Sequence, residues 1–153
     1  MNWSDPSGLV IVGGNYPPGG AADIILALQR IQNALIANPT CDCYFKSHGG
    51  RTLSDLLADP NIFIFYYPRH IYPNGPGTNP ALGANFPVSH DVYITPDGLS
   101  GVGASDLAGT IVHELLHRNN GGGGSEADAE GALEKCGILP SFSISITKTV
   151  KAK

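Results

Sequence analysis

The chain has 153 residues, enough for one domain with a buried core, and a formal net charge of −4. Only 14% of residues are charged and 42% are hydrophobic, with glycine 20 and proline 12, so ordered loops around few regular elements are expected rather than disorder. No basic patch stands out beyond a few C-terminal lysines, which excludes nucleic acid as an expected partner, and no apolar run approaches the roughly 18 residues of a membrane span.

Residues 1–8 are polar and turn-prone. Residues 9–12 read as a short apolar strand, closed by Gly13-Gly14-Asn15 and the turn Pro17-Pro18-Gly19-Gly20. A glycine-rich loop before a helix invites a phosphate-binding reading, but neither Gly-Lys-Ser/Thr nor Gly-x-Gly-x-x-Gly is present, and turn chemistry explains it better. The spacing over 21–37 predicts an amphipathic helix with Ile24, Ile25, Leu28, Ile31, Leu35 and Ile36 on one side, stopped by Asn38-Pro39. A shorter helix is expected over 52–58, capped by Thr52 or Ser54 and ended by Asp59-Pro60.

Residues 62–67 form a β-branched and aromatic run that reads as a central strand. Residues 68–89 are rich in Pro, Gly and Asn and read as one long functional or mobile loop. Residues 92–95 read as a strand ending at the turn Pro96-Asp97-Gly98. Near the C-terminus, residues 141–150 alternate Phe142, Ile144 and Ile146 with Ser and Thr, the pattern of a half-buried strand. The three cysteines leave at least one unpaired. Cys136 can bridge Cys41 or Cys43, or all three can be buried thiols.

The densest chemistry lies at 105–130. Ser105 suits an N-cap and Asp106 the positive end of a helix dipole, ahead of an apolar stripe of Leu107, Ile111, Val112, Leu115 and Leu116. Asn119, Asn120 and four glycines stop that helix. On it, His113 and His117 stand one turn apart on the same face, so both imidazoles can reach one metal ion. Glu114 is turned about 100° from His113, close enough to hold a reacting water without ligating the ion. A second helix is expected from N-cap Ser125 over 126–136. Glu126 and Glu130 share its inner face with Ala129 and Leu133, while Asp128 points the other way. Carboxylates on an inward face need a partner. Glu126 is therefore the expected third ligand and Glu130 the partner of a ligating histidine, with Asp128 and Glu130 as rivals for the third place.

The run His113-Glu114-Leu115-Leu116-His117, followed by a helix bearing Glu126, resembles the zincin metallopeptidases, in particular the branch with a glutamate third ligand. The interval from His117 to Glu126 is short for that branch. The metzincin branch would have glycine and histidine where Asn120 and Gly123 stand. The resemblance implies an α+β domain with an active-site helix, a second ligand-bearing helix and a short mixed or antiparallel sheet. It also implies a bound Zn2+, a peptide substrate paired with the strand at 92–95, and amide hydrolysis with Glu114 as general base. Tyr66, Tyr67, Tyr72 and Tyr93 are candidates to bind the oxyanion, though more often such residues pack. His48, His70 and His90 sit in loop-like contexts outside the motif.

At the N-terminus, Asp5-Pro6-Ser7-Gly8-Leu9, after Asn2 and Trp3, resembles the junction that ends the core of rearrangement-hotspot (Rhs) repeat proteins and related polymorphic toxins. That likeness implies that 1–9 are the remnant of the core junction and 10–153 a single toxin domain. It further implies release from a parent Rhs shell, delivery by a bacterial secretion system such as a type VI system, and a cognate immunity protein. There is no signal peptide at the start, so export is expected to use that other route. Two other readings compete with the peptidase: a non-catalytic, metal-stabilised interaction domain whose fourth ligand would be Cys136 or His90, and a zinc amidase acting on peptidoglycan peptides.

Overall fold

A computed structural model of the chain describes residues 3–4, 11–85, 91–100, 107–120 and 124–138. In chain order its elements are β1 (Trp3–Ser4), β2 (Ile11–Val12), α1 (Gly20–Ala37), α2 (Thr40–Ser47), α3 (Leu53–Leu57), β3 (Phe63–Tyr66), β4 (Gly83–Asn85), β5 (Val92–Ile94), α4 (Pro96–Ser100), α5 (Leu107–Asn119) and α6 (Glu126–Lys135). The class is α+β, with one mixed sheet in the order β1-β2-β3-β5-β4. β2, β3 and β5 run parallel, and β1 and β4 pair antiparallel at the two ends.

Strand alternation divides the sheet into two chemically different faces. Ile64 lies opposite Val12 on one side and Val92 on the other, so these side chains share a face with Ile94, and all four are buried. Against them pack Ile24, Leu28 and Ile31 of α1, Leu53, Leu56 and Leu57 of α3, and Ile111, Val112, Leu115 and Leu116 of α5. The opposite face carries Phe63, Phe65 and Tyr93, with ring centroids 5.3 Å apart for the first pair and 5.8 Å for the second. α3 begins at Thr52, whose hydroxyl accepts from the Asp55 N–H while the Asp55 carboxylate accepts from the Thr52 N–H. That capping box settles the choice between Thr52 and Ser54.

Four elements depart from the sequence expectations, the first being β1, a strand within residues 1–8 that were read as turn-prone. α2 forms where no element was assigned, with Cys41 and Phe45 as its buried positions, one turn apart. Pro96-Asp97-Gly98 opens the short helix α4 instead of a turn, and proline suits a first helical position. Within the expected loop 68–89, residues 83–85 form β4, and its antiparallel pairing with β5 places Ala84 opposite Tyr93. Of the cysteine alternatives, the pair Cys41–Cys136 is a disulfide with Cα atoms 4.5 Å apart, and Cys43 is an exposed thiol. The bridge joins α2 to the residue that ends α6. The expected N-cap Ser105, the strand over 141–150 and the junction at 5–9 lie outside the described residues, as does His90.

Candidate metal centre

α5 is not the one-sided amphipathic helix its stripe suggested. It is buried on every side from residue 108 to residue 117, between the sheet and the other helices. Three ionisable side chains are therefore held inside the fold: His113 and Glu114 at 0% exposure and His117 at 5%. Ionisable groups at such depth require charged or hydrogen-bonded partners. The two imidazoles have ring centroids 5.0 Å apart at 60°, as one-turn spacing dictates.

Their partners come from α6. Ser125 is its N-cap, the hydroxyl accepting from the Asp128 N–H at 3.0 Å. Gly124 just before it has φ +85°, a left-handed conformation that glycine takes without strain, and there the chain turns back toward α5. Glu126 then straddles the two histidines, with Oε2 3.0 Å from His113 Nε2 and Oε1 3.3 Å from His117 Nε2. Glu130, one turn on, lies 3.2 Å from His113 Nδ1. Asp128 turns to the other side, where its carboxylate is 3.8 Å from His48 Nε2 and its main-chain carbonyl accepts from the Tyr44 hydroxyl at 2.7 Å. Thus Glu126 and the two histidines come together, Glu130 touches only the far nitrogen of His113, and Asp128 is not in the group.

One ligand atom from each of His113, His117 and Glu126 lies within 4.8 Å of the others. Donors on a tetrahedral zinc with bonds of roughly 2.0–2.2 Å stand about 3.4 Å apart, so the three residues must draw closer together to share one ion. The donor chemistry, two imidazoles and one carboxylate, fits such an ion. Burial alone would lower the His113 pKa, but the carboxylates of Glu126 and Glu130 close to its ring nitrogens and the nearby charge of Glu114 outweigh it and raise it to about 9. Burial would raise that of Glu126, but the close imidazoles of His113 and His117 overcome it and lower it to about 2.

Glu114, whose charge acts on His113, has its carboxylate against β4. The Asn85 side-chain amide donates to its carboxylate oxygen Oε2 and also to its main-chain carbonyl, at 3.2 Å. Gly83, two residues earlier on the same face, leaves room for the carboxylate. A Cβ at this position would stand 2.7 Å from Glu114 Oε1 and 2.8 Å from its Cγ. Neither residue was singled out from the sequence, because both lie in the stretch read as loop and nothing local links them to Glu114.

The strand proposed to meet substrate requires correction. β5 has β3 on one side and β4 on the other, so neither edge can take an added chain. Among the described residues it is β4 that ends the sheet on this side. Cys136 is withdrawn as a possible fourth ligand by its disulfide. His70 is paired with Asp97 at 2.7 Å and stacked against Tyr72, and His48 accompanies Asp128. Tyr93 packs on Phe65, Tyr67 meets Tyr93 edge-on, and Tyr66 packs with Tyr16. Comparison with protein-family models, with curated proteins and with solved structures returns no match. The zincin resemblance therefore rests on residues 113–130 alone.

Proposed function

We propose that this chain is a zinc-dependent peptidase acting as a secreted antibacterial toxin. His113, His117 and Glu126 would hold the ion, and Glu114 would serve as general base. The observation that carries this reading is the division of labour at the site: one glutamate spans the metal-facing nitrogens of both histidines, while the glutamate between those histidines in sequence is held aside on the sheet. A zinc ion bound there supplies a Lewis acid that activates water and polarises the scissile carbonyl.

The side chains have separate tasks. Glu130 holds His113 Nδ1, so that Nε2 faces the ligand side. Glu114 takes a proton from the attacking water as its oxygen bonds to the carbonyl carbon. The same carboxyl then returns the proton to the leaving nitrogen as the C–N bond breaks. Delivery into a target cell and neutralisation by an immunity protein follow from the Rhs-like residues 5–9.

One observation favours the amidase variant of this reading. The buried bridge Cys41–Cys136 suits an oxidising compartment such as the bacterial periplasm, where peptidoglycan peptides are exposed. Nothing comparable favours a non-catalytic structural site. The test is Glu114→Gln, expressed in bacteria with and without periplasmic export. The variant is expected to keep zinc and fold while losing toxicity, and toxicity equal to wild type would remove the central residue of the reading.

A further inference from the structure

We propose that Asn85 is a positioning residue for Glu114, an inference that rests on the peptidase reading above. An asparagine amide carries two N–H donors. At Asn85 they serve two acceptors of the same residue, Oε2 and the main-chain carbonyl of Glu114. Bonding the side chain and the backbone of one residue through one amide fixes the carboxylate relative to the axis of α5. A general base must stand within hydrogen-bond reach of the proton it takes, so its aim is part of its efficiency.

Burial makes the contact consequential. Asn85 is 2% exposed and Glu114 is fully buried, so bulk water does not replace a lost amide. Gly83 completes the seat. It lies on the same inner face of β4, where any larger residue would press on the Glu114 side chain. The Glu114 carboxylate is thus held from β4, across the fold from the helix that carries it.

The experiment compares zinc-loaded wild type with Glu114→Gln, Asn85→Ala, Asn85→Asp and Gly83→Ala, using dye-quenched casein as the probe. Zinc content is measured for each variant, together with the Asn85 side-chain amide resonances in 15N-labelled protein. Asn85→Ala is expected to lower kcat at least about tenfold, a part of what a general base contributes, with KM and zinc content near wild type. Asn85→Asp keeps the shape but loses the donor, and should do no better. Gly83→Ala should lower kcat by displacing the carboxylate from the other side. The Asn85 resonances should move in Glu114→Gln.

Wild-type kcat in both Asn85 variants, or Asn85 resonances unchanged by Glu114→Gln, would overturn the proposal. Casein cleavage by Glu114→Gln at the wild-type rate would instead overturn the peptidase reading. The resonances read the Asn85–Glu114 contact in either case.

Discussion

His113 has both ring nitrogens against carboxylates, and the two contacts differ in what they would do once a metal is present. Nε2 faces Glu126 and the ligand group, whereas Nδ1 faces Glu130 and is spared for orientation. Chelator competition should therefore find zinc affinity strongly weakened in Glu126→Ala and reduced on the order of 10- to 100-fold in Glu130→Ala. Asp128→Ala should change it little, since that carboxylate faces His48. Release of zinc by Asp128→Ala with retention in Glu126→Ala would contradict the geometry. The raised His113 pKa has a second consequence. A folded-state value of about 9 against an ordinary 6.5 means that the metal-free protein gains stability fully present below pH 6.5 and lost as pH rises through 9. Zinc needs the neutral ring, so its binding should release a proton throughout that window and tighten as pH climbs. Titration calorimetry at pH 7.5 in buffers of different ionisation enthalpy measures the proton, and equal heats in all buffers would count against it.

At the scale of elements, α6 holds the site together from a weak starting position. It follows a glycine tract, and both of its site carboxylates are about half exposed, at 53% and 42%. It is fixed from α2 instead, by the Tyr44 hydroxyl on Asp128, the Thr40 hydroxyl on the Lys135 carbonyl at 3.2 Å, and the disulfide at its end. The bridge closes a loop with a sequence separation of 95, and the chain-entropy account gives such a bridge about 2 to 5 kcal/mol. Cys41→Ser with Cys136→Ser should lower the unfolding free energy by that order, with zinc affinity falling in parallel, while Cys43→Ser should leave both unchanged. Denaturant unfolding followed at equal zinc decides it.

The same elements show what could be read from sequence. α1, α3, α5 and α6 announce themselves because caps and a 3.6-residue period are local properties, and the spacing of His113, His117 and Glu126 is local too. The period of α5, however, did not reveal that the helix is enclosed on every side. α2 escaped because its helix depends on two buried residues and a bridge to a partner 95 positions away. β4 escaped because three residues, one of them glycine, carry no strand signal without β5 beside them. Strand order is equally non-local, so the substrate-pairing role given to 92–95 by resemblance could not be checked against β5 having a strand on each side. Asn85 meets Glu114 across 29 positions, a contact that only the folded chain creates.

For the whole molecule, the described sheet and helices enclose His113, Glu114 and His117 among apolar side chains and the buried Asn85, Thr95 and Thr110, and ionisable groups at that depth need partners. A ligand bound only by the folded state stabilises it by mass action, about 2.7 kcal/mol at a hundredfold excess over Kd. Adding zinc to metal-free protein should thus raise the unfolding temperature, and the rise should vanish in His113→Ala. No helix among the described residues is long and apolar enough to cross a membrane. The most direct test of the account is elemental analysis of purified protein beside His113→Ala, His117→Ala and Glu126→Ala. The account predicts a single zinc ion per wild-type chain and loss of most of it in each variant. Equal zinc in all four proteins, or none in wild type after zinc loading, would contradict it.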